Sequence, residues 1–178
     1  MCITVILIIM KIGKELAIAA KKKGICKEWF NSMKVLEDKD ALIEMYVKGI
    51  DFCLANDFPS NDYIRTNFTG KMEAYGVHLD ESLNTANDRR VVALGRCLGR
   101  IEVNGFGVSE IFVKHESDLL VVAKGNSFVM IDMFDNSKLH VIASADAKVC
   151  VNHYGGDLKT ESCEDAIIKV IEKNKKSY

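Results

Sequence analysis

The chain carries no excess of either charge: 24 Lys and Arg stand against 25 Asp and Glu, a formal net charge of −1. A protein that grips nucleic acid or an anionic membrane through phosphate contacts needs a basic surplus, so neither is expected as a partner. Close cysteine pairs are missing as well. Cys2, Cys26, Cys53, Cys97, Cys150 and Cys163 lie far apart, and none forms the C-x-x-C pair of a zinc or redox centre. They read as free thiols in a reducing compartment, which places the chain in the cytoplasm. No Walker loop, Rossmann glycine pattern, nucleophile elbow or H-E-x-x-H is present, so no metal, cofactor or reaction is expected and the chain reads as non-enzymatic.

No membrane anchor is expected. The apolar run from Met1 to Met10 is about half the length of a bilayer-spanning helix, and it lacks the basic flank and cleavage site of a secretory signal. Met10-Lys11 reads as an alternative start, with residues 1–9 an extension upstream of it. The competing reading is a short edge strand or buried tail, for which the β-branched Ile3, Val5 and Ile6 are suited.

What is present is enough apolar material, 48% of 178 residues, to bury a core without disulfide or metal. Residues 11–88 read as a helical region. Ile12, Leu16, Ala19 and Ala20 share one helical face, lysines crowd its last turn, and Gly24 ends it. A second helix carries Trp29 and Phe30. A third, capped by Asp38 or Asp40, runs through Leu42, Ile43, Tyr46, Val47 and Ile50, and a fourth follows Pro59 and Ser60 through Tyr63, Ile64 and Phe68. None of them carries the Arg, Asn or Gln cluster that reads base edges, which argues against a helix-turn-helix.

Residues 89–158 have a different rhythm. Steps of ten from Val91 give Val91, Ile101, Ile111, Val121, Ile131, Val141 and Val151, and two residues on come Ala93, Val103, Val113, Ala123, Met133, Ala143 and His153. Alternate strand residues share a face, so both columns point into one core. Gly95, Gly105, His115, Gly125, Asp135, Ala145 and Gly155 mark the turns, with Ser117, Ser127 and Ser137 placed to bond the turn backbone. A fixed short period is the sign of a solenoid, whose units bury their faces by stacking on neighbours. The fold expected is α+β, a helical N-terminal region followed by a β-solenoid of ten-residue strand–turn units; the alternative is an antiparallel β-meander. The units G-N-S-F-V-M-I and D-N-S-K-L-H-V, within residues 114–156, resemble the D-N-S-x-V repeats of uncharacterised β-solenoid proteins from bacteriophages and gut bacteria. The resemblance implies a fold and no activity.

Residues 159–178 read as a capping helix: Ser162-x-x-Asp165 forms a capping box ahead of Ala166, Ile167, Val170 and Ile171, and lysines end the segment. Such a stripe would cover the last coil. The candidate binding surface is then the pair of outward columns, Phe112, Val122, Asp132, Ile142 and Asn152 beside Leu120, Met130, His140 and Cys150. In a two-strand coil, residues twenty apart stack, which makes neighbours of Asp132 and Asn152 and sends His140 and Cys150 to different sheets. The function expected is a binding or scaffold module with another protein as partner. One alternative is a self-assembling structural protein, which requires open solenoid ends. The other is an enzyme with a pocket between helices and solenoid, drawing on Cys26, His78, Asp80 or Glu81, although nothing in their spacing supports it.

Overall fold

The computed structural model describes residues 11–178, so the expectations for the opening apolar run and for Cys2 lie outside the described residues. The chain divides at Ser60/Asn61 into two compact units.

In the first unit the helices are α1 (Ile12–Lys22), α2 (Lys27–Met33), α3 (Lys39–Lys48) and α4 (Ile50–Asn56). The Asp38 carboxylate caps α3 by accepting the Ala41 N–H at 3.0 Å, as its position before the apolar run implies. Periodicity alone carries α3 through Ile50. The structure instead ends it at Gly49, where a Cβ would stand 2.8 Å from the Trp29 ring. Leu16, Ala17, Ala20, Met33, Leu42, Ile43 and Leu54 are buried.

The second unit opens with α5 (Asn61–Asn67) and one 3-10 turn (Met72–Tyr75). The solenoid follows: β1 (Val77–Leu79), β2 (Ser82–Ala86), β3 (Arg90–Leu94), β4 (Leu98–Val103), β5 (Val108–Val113), β6 (Asp118–Ala123), β7 (Phe128–Met133), β8 (Lys138–Ala143), β9 (Lys148–His153), β10 (Asp157–Ser162) and β11 (Ile167–Glu172). Odd strands β1-β3-β5-β7-β9-β11 make one sheet, sheet A, and even strands β2-β4-β6-β8-β10 the other, sheet B. All pairings are parallel, so the meander alternative falls. The first coil, β1 and β2, takes in residues 77–86, which fall within the span 11–88 expected to be helical.

Both inward columns lie between the sheets and are sealed as far as His153, which is half-buried. Val91, Ile101, Ile111, Val121, Ile131, Val141 and Val151 are fully buried, each burial worth about 1.5–3 kcal/mol. The turns hold the period. His115, Asp135 and Ala145 adopt left-handed angles like Gly95, Gly105 and Gly125, and the buried Ser117 and Ser137 hydroxyls donate to the carbonyls of Lys114 (3.0 Å) and Phe134 (2.7 Å).

The expected C-terminal capping helix is replaced by β10 and β11, one more coil. Asp157 pairs with Lys138 and Ile167 with Lys148, a step of nineteen where Val108 to Phe128 is a step of twenty. The lost residue is in the turn Tyr154-Gly155-Gly156, three residues long where Lys114 to Ser117 is four. That deletion shifts the phase, so Leu158 and Ile168 join the inward face beside Leu139 and Val149. Ser162 to Asp165 is a strand end and turn with Glu164 left-handed, not a capping box.

Candidate functional sites on the solenoid

A period of ten laid onto a twenty-residue coil sends alternate units to opposite sheets. The nine candidate surface residues therefore form two faces. Phe112, Met130, Asp132, Cys150 and Asn152 lie on sheet A, and Leu120, Val122, His140 and Ile142 on sheet B.

On sheet B, Leu120, Val122 and Ile142 form an apolar strip between polar ends. At one end the Arg100 guanidinium donates to Glu102 at 2.7 Å and holds its carboxyl below the usual range. At the other end Glu161 accepts from Lys159 (2.7 Å) and His140 (3.0 Å); Lys159 first, then His140, lowers its pKa. Val122 is buried in the strip, while Leu120, His140 and Ile142 are half-buried.

Sheet A has more chemistry. Asp132, on an outward column, is nonetheless buried, accepting from Asn152 Nδ2 at 2.6 Å and from the Tyr178 hydroxyl. Phe134, at the first turn position after β7, continues the outward face and is the bulkiest fully buried side chain among the described residues. It stacks on Tyr154 (4.6 Å between centroids) and meets Tyr178 edge-on at 5.5 Å. The Lys114 ammonium lies 5.6 Å from the Phe134 ring and pairs with Asp135 at 2.8 Å. Sequence reasoning missed this cluster because Phe134 and Tyr154 fall where the period assigns turns, and nothing local places Tyr178 beside β7. Residues 173–178 thus return along the outer face of sheet A.

Beside that covered strip is an open one. Phe106, Val108, Phe128 and Met130 are 85, 62, 44 and 40% exposed. Val108 and Phe128 are register partners on β5 and β7, Met130 is two residues along the same face, and Phe106 is in the turn that leads into β5. Only Met130 was among the sequence candidates; the signal for the others was an apolar residue at the first strand position in Val108 and Phe128, where Asp118, Lys138 and Lys148 are charged. Lys148 follows Phe128 in the ladder.

The residues considered for an enzyme divide between the units: Cys26 is exposed in the helical unit, and His78, Asp80 and Glu81 are in the solenoid unit, where His78 bonds Glu81 and Asp80 bonds Arg65. His140 and Cys150 are on opposite sheets, as the coil geometry implies. Five described cysteines are free thiols, and burial pushes the Cys53 thiol up to about 12 and raises that of Cys97. No cluster suited to a metal ion occurs among the described residues, nor is any helix there long and apolar enough to cross a membrane. No protein-family model, curated protein or solved structure matches this chain.

Proposed function

We propose that the chain is a non-catalytic, cytoplasmic scaffold module that binds another protein through the outer face of sheet A. The observation that carries this reading is the Phe106, Val108, Phe128 and Met130 patch. Phenylalanine and methionine are enriched at protein interfaces, and a rigid parallel ladder presents them without the entropy of ordering a loop. Lys148 beside the patch favours a partner segment whose apolar residues are followed by a carboxylate. Free thiols fit a reducing compartment. Origin in a phage or mobile element rests on the D-N-S-x-V likeness alone.

A photo-crosslinking residue at Val108, in the full chain expressed in its native host, tests the reading. Crosslinks are expected to map to an apolar segment with an adjoining Asp or Glu, and to fall at least tenfold in Phe128→Glu, whose thermal melt stays within a few degrees of wild type. Crosslinks scattered over unrelated sequences, or unchanged by Phe128→Glu, overturn it.

A further inference from the structure

The two ends of the solenoid differ in how they are closed. At the N-terminal end, α5 and the 3-10 turn pack against β1, and Val77, Leu79 and Leu83 of the first coil are buried. At the C-terminal end, β10 and β11 are the outer strands of both sheets, with no further strand among the described residues. Ile167 is 57% and the inward Val170 39% exposed, although its ladder partner Val151 is fully buried. The C-terminal Tyr178 is placed over Asp132 and Phe134, on the outer face of sheet A.

Each of these two edges offers a row of backbone N–H and C=O groups about 20 Å long, the template on which another strand adds. We propose that the occupant is a second copy of this chain, joined end to end by a two-fold axis parallel to the strands, with β11 of each copy beside β10 of the other. The axis preserves strand direction, and β10 and β11 run opposite ways in a coil, so both joints are antiparallel. Ser162 ends β10 and Ile167 begins β11; of the registers that set inward residues opposite inward ones, we take that in which Val170 meets Thr160 of the second copy and Ile168 meets Ser162. On the outer faces the same register brings Lys169 opposite Glu161, and symmetry repeats the pair.

Charge complementarity thus selects this pairing over the one slipped by two residues, which sets Lys169 against Lys159. Because the other end is closed by α5, the assembly stops at two copies. A joint of two short strand pairs is expected to be weak, with a dissociation constant on the order of micromolar.

Sedimentation of the full chain from about 1 to 500 µM tests the proposal. A monomer–dimer equilibrium that ends at the dimer is expected. Lys169→Glu and Glu161→Lys should each weaken the dimer about tenfold, the double exchange K169E/E161K should restore it to within about threefold, and Phe128→Glu should leave it intact. A monomer throughout, growth beyond two copies, a double exchange as weak as the singles, or loss of the dimer in Phe128→Glu overturns the pairing; the last result would also move self-association to the patch proposed above for a partner.

Discussion

Middle coils and the last coil of the solenoid are built from the same strand–turn unit, and they differ in what lies on either side. Ile111, Ile131 and Val151 have a neighbour above and below and are sealed; Val170 has the same ladder position and is partly open. In a stacked architecture, burial belongs to the interface between units more than to the unit itself. The turns differ in the same way: most accept any residue tolerant of a left-handed angle, whereas the shortened turn before β10 accepts only glycine at its tightest point.

The sharpest contrast is expected from one carboxylate placed at two heights. Ile131→Asp buries an unpaired charge in mid-column and should cost on the order of 4 kcal/mol or more, enough to abolish the folded solenoid in a circular dichroism melt. Val170→Asp, melted at low micromolar concentration, should cost about 1 kcal/mol or less, since its carboxylate reaches water. Equal losses would mean that the last coil is as enclosed as the middle.

A smaller and local effect is expected at Gly156, which has φ 94° and would place a Cβ 2.3 Å from the Ser137 carbonyl oxygen. Gly156→Val should detach the last coil at a cost of about 2–3 kcal/mol. Hydrogen exchange is the measurement: protection in β10 and β11 should fall at least tenfold while β5 to β7 keep theirs. Uniform loss across all strands would show that the end coil is not a separable unit.

The smallest effect concerns the opposite end. Burial alone would raise the Asp80 pKa, but the Arg65 side chain and the Arg96 N–H, which donates to its carboxylate at 2.9 Å, outweigh it and hold the carboxyl below the usual range. A carboxylate depressed in the folded state stabilises fully above its unfolded value, about 3.9, and that stability is lost as pH falls through the folded one. The pair is largely solvated, so the contribution should be small. Asp80→Asn keeps a residue tolerant of the left-handed angle, and should flatten the melting temperature between pH 5 and pH 2 relative to wild type. An unchanged slope would remove Arg65–Asp80 from the closure of the N-terminal end.

Local pattern carried much of this fold because a solenoid repeats its own environment. Seven β-branched residues at steps of ten, with Gly, Asp and Asn at the turns, identify inward column and turn without knowledge of the partner strand. The last coil escaped because A-I-I-K-V-I satisfies both periods: Ile167, Val170 and Ile171 recur at helical spacing, while Ala166, Ile168 and Val170 alternate as a strand. A one-residue shortening at Tyr154-Gly155-Gly156 broke the count that would have decided between them. The surface columns were found in phase, and they divide between sheets A and B as the stacking of residues twenty apart implies.

The sequence by itself therefore determined the strand phase and turn positions between Val91 and Val151 and the helices that follow residue 11, all of which depend on residues within about ten positions of one another. Only the tertiary structure decided that Asp132 is buried beneath Tyr178, that Phe134 is an outward residue fully enclosed, that Phe106, Val108, Phe128 and Met130 share an open strip, and that β10 and β11 have no further strand beyond them among the described residues. Each of these depends on which strand stacks beside which and on where the chain returns. Such facts come from contacts between residues twenty or more positions apart, and a local period cannot express them.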